Sequence, residues 1–105
     1  MKVPRVFLDA FRQAIELTPE RWTHVLAEHQ ELAAFEDLIP ETLEAPEVVM
    51  RSIYDPNVRL YYRFFAHLWD GKYLVVVVQS NRRHFLLTAY VTDKIKGGMR
   101  LWPSD

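Results

Sequence analysis

The sequence predicts an α+β domain in which N-terminal helices pack on one face of a four-stranded antiparallel sheet. Three observations carry that expectation. Residues 72–79, Lys-Tyr-Leu-Val-Val-Val-Val-Gln, hold four consecutive valines, which cannot alternate polar with apolar and so suit a central strand buried on both faces. Aromatic and β-branched runs flank it at 58–68 and 84–92, set off by Asp70-Gly71 and by Ser80-Asn81-Arg82-Arg83, which makes a three-stranded meander. Upstream, Thr18-Pro19-Glu20 combines a hydroxyl N-cap, a first-position proline and a first-turn acid, a clear helix start.

Taken in order, residues 4–8 and 13–17 read as two short strands around Asp9-Ala10-Phe11. From Pro19, the residues Trp22, Val25, Leu26, His29 and Ala33 recur at helical spacing, so a helix over 19–32 is expected. Phe35, Leu38, Ile39, Thr42 and Leu43 repeat the pattern around Pro40, which predicts a second helix that is kinked or begins just before that proline. Ala45-Pro46 ends it. Residues 48–54 form the fourth strand, and Asp55-Pro56-Asn57 turns the chain into the meander, where Asp70-Gly71 is read as a two-residue hairpin turn. After Asp93, Gly97-Gly98 is a hinge and Leu101-Trp102 an anchor.

Alternation divides the meander into two faces. Val58, Leu60, Tyr62, Phe64, Ala66 and Leu68 share one with Phe85, Leu87, Ala89 and Val91, and this is the face expected to meet the helices. Arg59, Tyr61, Arg63, Phe65 and His67 share the other with His84, Thr88, Tyr90 and Thr92. Such a polar face is either simply solvated or built for stacking on bases and contact with phosphates.

At 105 residues and 50% hydrophobic, the chain is long enough for one domain with a modest core. Without cysteine it has no disulfide framework, thiolate site or cysteine nucleophile. Pro4 and Asp9 interrupt any leader-like apolar run and no segment is long enough to span a bilayer, so a soluble, cytoplasmic domain with no membrane partner is expected. The net charge of −1 hides a division. Residues 1–50 hold four Lys/Arg against ten Asp/Glu, and residues 51–105 hold nine against four. Either one surface is basic, or acidic helices merely precede a basic sheet.

Four histidines raise the question of a metal, but His24 and Glu28 find no third ligand at a recognisable spacing, so neither a metal nor another cofactor is expected. His29 falls on the apolar stripe and reads either as a partly buried core residue or as a functional one. No glycine-rich phosphate loop and no nucleophile elbow are present. What remains is metal-free chemistry with His, Arg, Tyr and Thr. That inventory suits RNA cleavage by its own 2′-hydroxyl, which needs a proton acceptor near neutral pH and fixed cationic donors.

The ordered set Arg21-Trp22-Thr23-His24, Glu28-His29, Val49-Met50-Arg51-Ser52, Asp55, Leu60-Tyr61-Tyr62-Arg63, Lys72-Tyr73-Leu74-Val75 and Leu87-Thr88-Ala89-Tyr90 resembles the phage-borne nuclease-like domains grouped with barnase, EndoU, colicin nucleases and RelE (the BECR group). The resemblance runs from about Leu17 to Trp102 and departs from the pattern at Gln30, where a proline is expected. It implies a BECR/RelE-like fold and a ribonuclease of toxin or tRNA-cleaving type. It also points to His24, Arg51, Thr88 and Tyr90 as the matching catalytic positions. Arg59, Tyr61, Arg63 and His84 are the expected substrate-binding residues on the open face. RNA, with tRNA among the candidates, and a cognate inhibitor protein are the expected partners. The rival expectation is a non-catalytic RNA- or protein-binding domain of the same fold, carried in a phage or mobile-element operon.

Overall fold

The computed structural model describes residues 4–104; Met1 to Val3, the start of the stretch read above as lacking a leader, lie outside the described residues, as does Asp105. Asp9 sets the first turn. Its Oδ1 accepts from the Phe11 and Gln13 amides at 3.0 and 2.8 Å, folding strands β1 (Arg5–Leu8) and β2 (Ala14–Leu17) into a hairpin. Thr18 then caps α1 (Pro19–Glu28) by accepting from Arg21 N at 3.1 Å. The expected helix does not reach residue 32. His29 leaves helical geometry at φ −135° and ψ 72°, and a 3₁₀ segment, Gln30–Phe35, follows. Helix α2 (Leu38–Glu44) begins just before Pro40, so the proline sits in the first turn, where no amide partner is lost.

The sheet corrects the expected fold class. It is seven-stranded and mixed, in the order β1-β2-β6-β5-β4-β3-β7, and not a four-stranded antiparallel layer. The core of it is the expected meander, β4 (Val58–Phe65), β5 (Lys72–Ser80) and β6 (His84–Thr92), with β3 (Val48–Arg51) beside β4. Two additions make the difference. The N-terminal hairpin joins through a short parallel contact, Ile15 with His84 and Glu16 with Phe85. The tail forms β7 (Met99–Trp102) on the outer side of β3. Gly98 permits that approach: its φ is +154° and a Cβ there would lie 2.5 Å from the Arg51 carbonyl oxygen.

The turn at Asp70-Gly71 is longer than expected. β4 stops at Phe65, which pairs with Lys72, and a six-residue loop with positive φ at Trp69, Asp70 and Gly71 closes the hairpin.

On β4 the two faces are the reverse of the expectation, whereas on β6 Ala89 and Val91 face the helices and Thr88 and Tyr90 face away, as expected. The helices cover the side bearing Tyr61, Phe65, Leu74, Val76, Val78 and Ala89, together with Ile15, Trp22, Val25, Ile39 and Leu43. Val58, Leu60, Tyr62 and Phe64 look the other way. Both sides of β4 carry large apolar groups, so alternation alone does not choose between them. What decides is that Asp9, Gln13 and the end of α2 supply partners that allow Arg59, Tyr61 and Arg63 to turn inward. On β6 a β-bulge moves one leucine. Val77 pairs with Thr88 but Val78 pairs with Leu86, so Leu87 is inserted and Leu86 joins Ala89 on the core side. Strand β5 is fully buried at Leu74, Val75, Val76 and Val78, but Val77 is only half-buried, so the burial expected of four consecutive valines holds at three. Among the described residues, no helix is long and apolar enough to cross a membrane.

Candidate active site

The side of the sheet without helices carries the concentration of proton-handling groups. Register places Tyr90, Val75, Tyr62 and Val48 in one row across β6, β5, β4 and β3, all pointing to this side. Thr88 lies two rows along on the same side, opposite Val77. The chain from Asp93 to Gly98 crosses over these rows and buries Tyr62, whose hydroxyl accepts from the Lys96 amide at 3.2 Å. This crossing brings Lys96 Nζ to 6.0 Å from the centre of the Tyr90 ring. From the other direction, the break at the end of α1 delivers His29, whose ring centre lies 6.0 Å from that of Tyr90. The helix break missed in the sequence is therefore what points an imidazole at the sheet.

Burial raises the pKa of Tyr90, with the nearby Tyr62 adding to the effect, and burial likewise raises Tyr62. Both phenols stay neutral at physiological pH, and the half-buried Tyr90 can donate a hydrogen bond to an anion. Charge around the site favours an anionic ligand. Lys72 pairs with Asp93, and Glu16 is held by both its oxygens on Arg83, at 2.6 and 2.8 Å. Among the described residues no carboxylate lies within ion-pair distance of Lys94, Lys96 or Arg100, all exposed along the crossing segment and β7.

The eight residues chosen from the sequence do not form one site. Thr88 and Tyr90 share the open face. His24 is exposed on α1. Arg51 ends β3 in the row Arg51, Arg59, Val78, which faces the helix side. It is three strands and three residues away from Tyr90, roughly 17 Å by sheet spacing. Arg59 and Tyr61 belong to the buried cluster on Asp9: Tyr61 Oη donates to Asp9 Oδ2 at 2.5 Å, and Arg59 donates to Gln13 Oε1 at 2.6 Å while lying 4.9 Å above the Phe11 ring. Arg63 donates to the Ala45 carbonyl at the end of α2 at 2.6 Å. His84 shares a hydrogen bond with Ser80 Oγ near the β2 contact. The expected open-face binding set Arg59, Tyr61 and Arg63 is thus committed to holding the hairpin and α2 on the sheet.

The sequence leaves His29 open between a core and a functional role, assigns the catalytic position to His24, and gives no role to Lys96 or the Tyr62 hydroxyl. The signal for Lys96 was present: a lysine just before two glycines, after the Thr-Ala-Tyr strand, on a segment free to fold back. No three His, Cys, Asp or Glu side chains among the described residues converge as metal ligands. In comparisons with family models, curated proteins and solved structures, none matches the chain.

Proposed function

We propose that the chain is a metal-independent endoribonuclease, cleaving RNA by attack of the substrate's own 2′-hydroxyl, with His29, Tyr90 and Lys96 as working groups. The observation that carries this reading is the approach of His29 and Lys96 to one phenol on the open face, each at 6.0 Å. A phosphodiester resting against Tyr90 lies within reach of both. His29 takes the 2′-hydroxyl proton as the O2′–P bond forms. Lys96 faces the charge growing on the phosphate and hands a proton to O5′ as the P–O5′ bond breaks. The products are a 2′,3′-cyclic phosphate and a 5′-hydroxyl, after which imidazolium and amine restore their protons through water. The Tyr90 phenol and the Thr88 hydroxyl donate to the non-bridging oxygens. Because the nucleophile belongs to the substrate, no serine, cysteine or metal-bound hydroxide is required. The motif resemblance to BECR ribonucleases suggests the same reaction class, with tRNA among the candidate targets, but of the four positions it offers only Thr88 and Tyr90 belong to this site.

Incubation of the purified protein with total tRNA in EDTA tests the reading. Discrete fragments ending in 2′,3′-cyclic phosphate are expected; intact RNA after prolonged incubation contradicts it.

One observation favours a second reading, a domain that acts by binding a protein such as a cognate inhibitor. Edge strand β1 exposes Val6 and Leu8 at 61% and 60%, an apolar strip on an unpaired edge of the kind that accepts another strand. As a sole function, that reading predicts that RNA stays intact whatever stands at position 29.

A further inference from the structure

Beside Lys96 the open face continues into a cavity of about 360 Å³, lined by Ser52, Ile53, Tyr54, Leu60, Lys96 and Gly97. We propose that this cavity is a nucleobase subsite, receiving an unpaired base of RNA adjacent to the phosphate at Tyr90; the inference rests on the ribonuclease reading. Half-buried Leu60 gives it an apolar floor, the exposed Ile53 flanks it, and its lining carries one cation and the hydroxyls of Ser52 and Tyr54. Tyr54 projects from the loop with 90% of its surface exposed, a cost the fold does not need to bear for packing. The backbone that carries it is held, because Ser52 Oγ accepts from the Tyr54 amide at 3.1 Å. That geometry leaves the Ser52 hydroxyl proton available for a base edge. A flat π-surface, a cation and a hydrogen-bond donor around an apolar floor are what a splayed single-stranded base requires.

Gly97 adds an independent observation. Unlike Gly98, it has no positive φ, and a Cβ at this position would meet no atom within 4 Å. Neither backbone conformation nor packing demands glycine there. Gly97 lines the cavity, so a side chain introduced there has room on its border.

The test uses the full chain and an RNA oligonucleotide made uncleavable by 2′-deoxy substitution at the scissile position. Tyr54→Ala removes the stacking surface, and Gly97→Leu fills the cavity from the other side. Each is expected to raise the Kd of the oligonucleotide roughly 5- to 100-fold, the range for losing one stacked base, with an unchanged melting temperature. NMR shifts on adding a nucleoside 3′-monophosphate are expected at Ser52, Ile53 and Gly97. Cleavage by the wild type with Kd and KM unmoved by either variant overturns the subsite while sparing the nuclease reading. Affinity that depends on Tyr54 and Gly97, with no cleavage, sinks the nuclease reading and leaves the subsite standing as a place of RNA binding.

Discussion

Tyr61 Oη donates a 2.5 Å hydrogen bond to Asp9 Oδ2, tying the middle of β4 to the turn of the N-terminal hairpin across fifty-two positions of sequence. This bond explains why a strand that alternates tyrosine with arginine turns that side inward. The Asp9 carboxylate is completely buried, and it is satisfied by two backbone amides, one phenol and, at 3.9 Å, the Arg59 guanidinium.

Tyr61→Phe is expected to destabilise the fold by about 1–3 kcal/mol, since it removes one partner of a buried carboxylate and keeps the ring packing. Urea unfolding measures the loss, and a change within error contradicts the role given to the bond.

Burial, reinforced by Asp9, raises the pKa of Tyr61 well above the ordinary phenol value of about 10. A raised pKa means that the folded state holds the proton more tightly, so the contribution is complete below pH of about 10 and is lost as pH rises toward the folded value. Stability is therefore expected to fall on the alkaline side above that point, more steeply in the wild type than in Tyr61→Phe. Parallel alkaline slopes for the two proteins count against it.

Arg63→Ala is expected to cost about 1–2 kcal/mol, because the guanidinium bonds the Ala45 carbonyl at the negative end of α2 and lies 5.5 Å from the centre of the Phe65 ring. A solvated arginine there would leave the melting temperature unchanged. RNA affinity is expected to hold once the variant is folded, as the side chain faces away from the Tyr90 row.

Amides of Leu74, Val75 and Val76 are expected to exchange with solvent only through global unfolding, since β5 is paired on both sides and these side chains are fully buried. Exchange at rates found for loops removes the central-strand assignment.

Much of this architecture was legible in the residues. The valine run located β5, Thr18-Pro19 located the start of α1, and Pro40 located the start of α2. Each of these signals is local, set by propensity or by a missing amide. What was not legible depends on long-range pairing. A two-residue parallel contact between β2 and β6 carries no pattern, and neither does the return of the tail to β3. The faces of β4 were unreadable because both sides are aromatic, and the choice depended on an aspartate fifty-two residues away. In β6 the bulge at Leu87 moved Leu86 to the opposite side from the one that strict alternation predicts. The candidate site inherited these errors: Thr88 and Tyr90 fell on the open face as expected, but their partners came from a helix break at His29 and a folded-back tail at Lys96.

Lys96→Ala is expected to slow RNA cleavage by about 10²–10³-fold, the scale for losing one fixed donor at a developing charge. The effect should fall on the rate constant of the bound complex in single-turnover kinetics. A rate equal to that of the wild type removes Lys96 from the chemistry.

The most direct test of the central claim compares two histidines five residues apart. His29 ends α1 beside Tyr90, whereas His24 is exposed on the same helix. Single-turnover cleavage of an RNA substrate in EDTA is expected to fall about 10²–10⁴-fold in His29→Ala, the range for a general acid–base group, and to stay near the wild-type rate in His24→Ala. Equal cleavage by His29→Ala and the wild type, or a loss confined to His24→Ala, contradicts the assignment of the active site to the Tyr90 face.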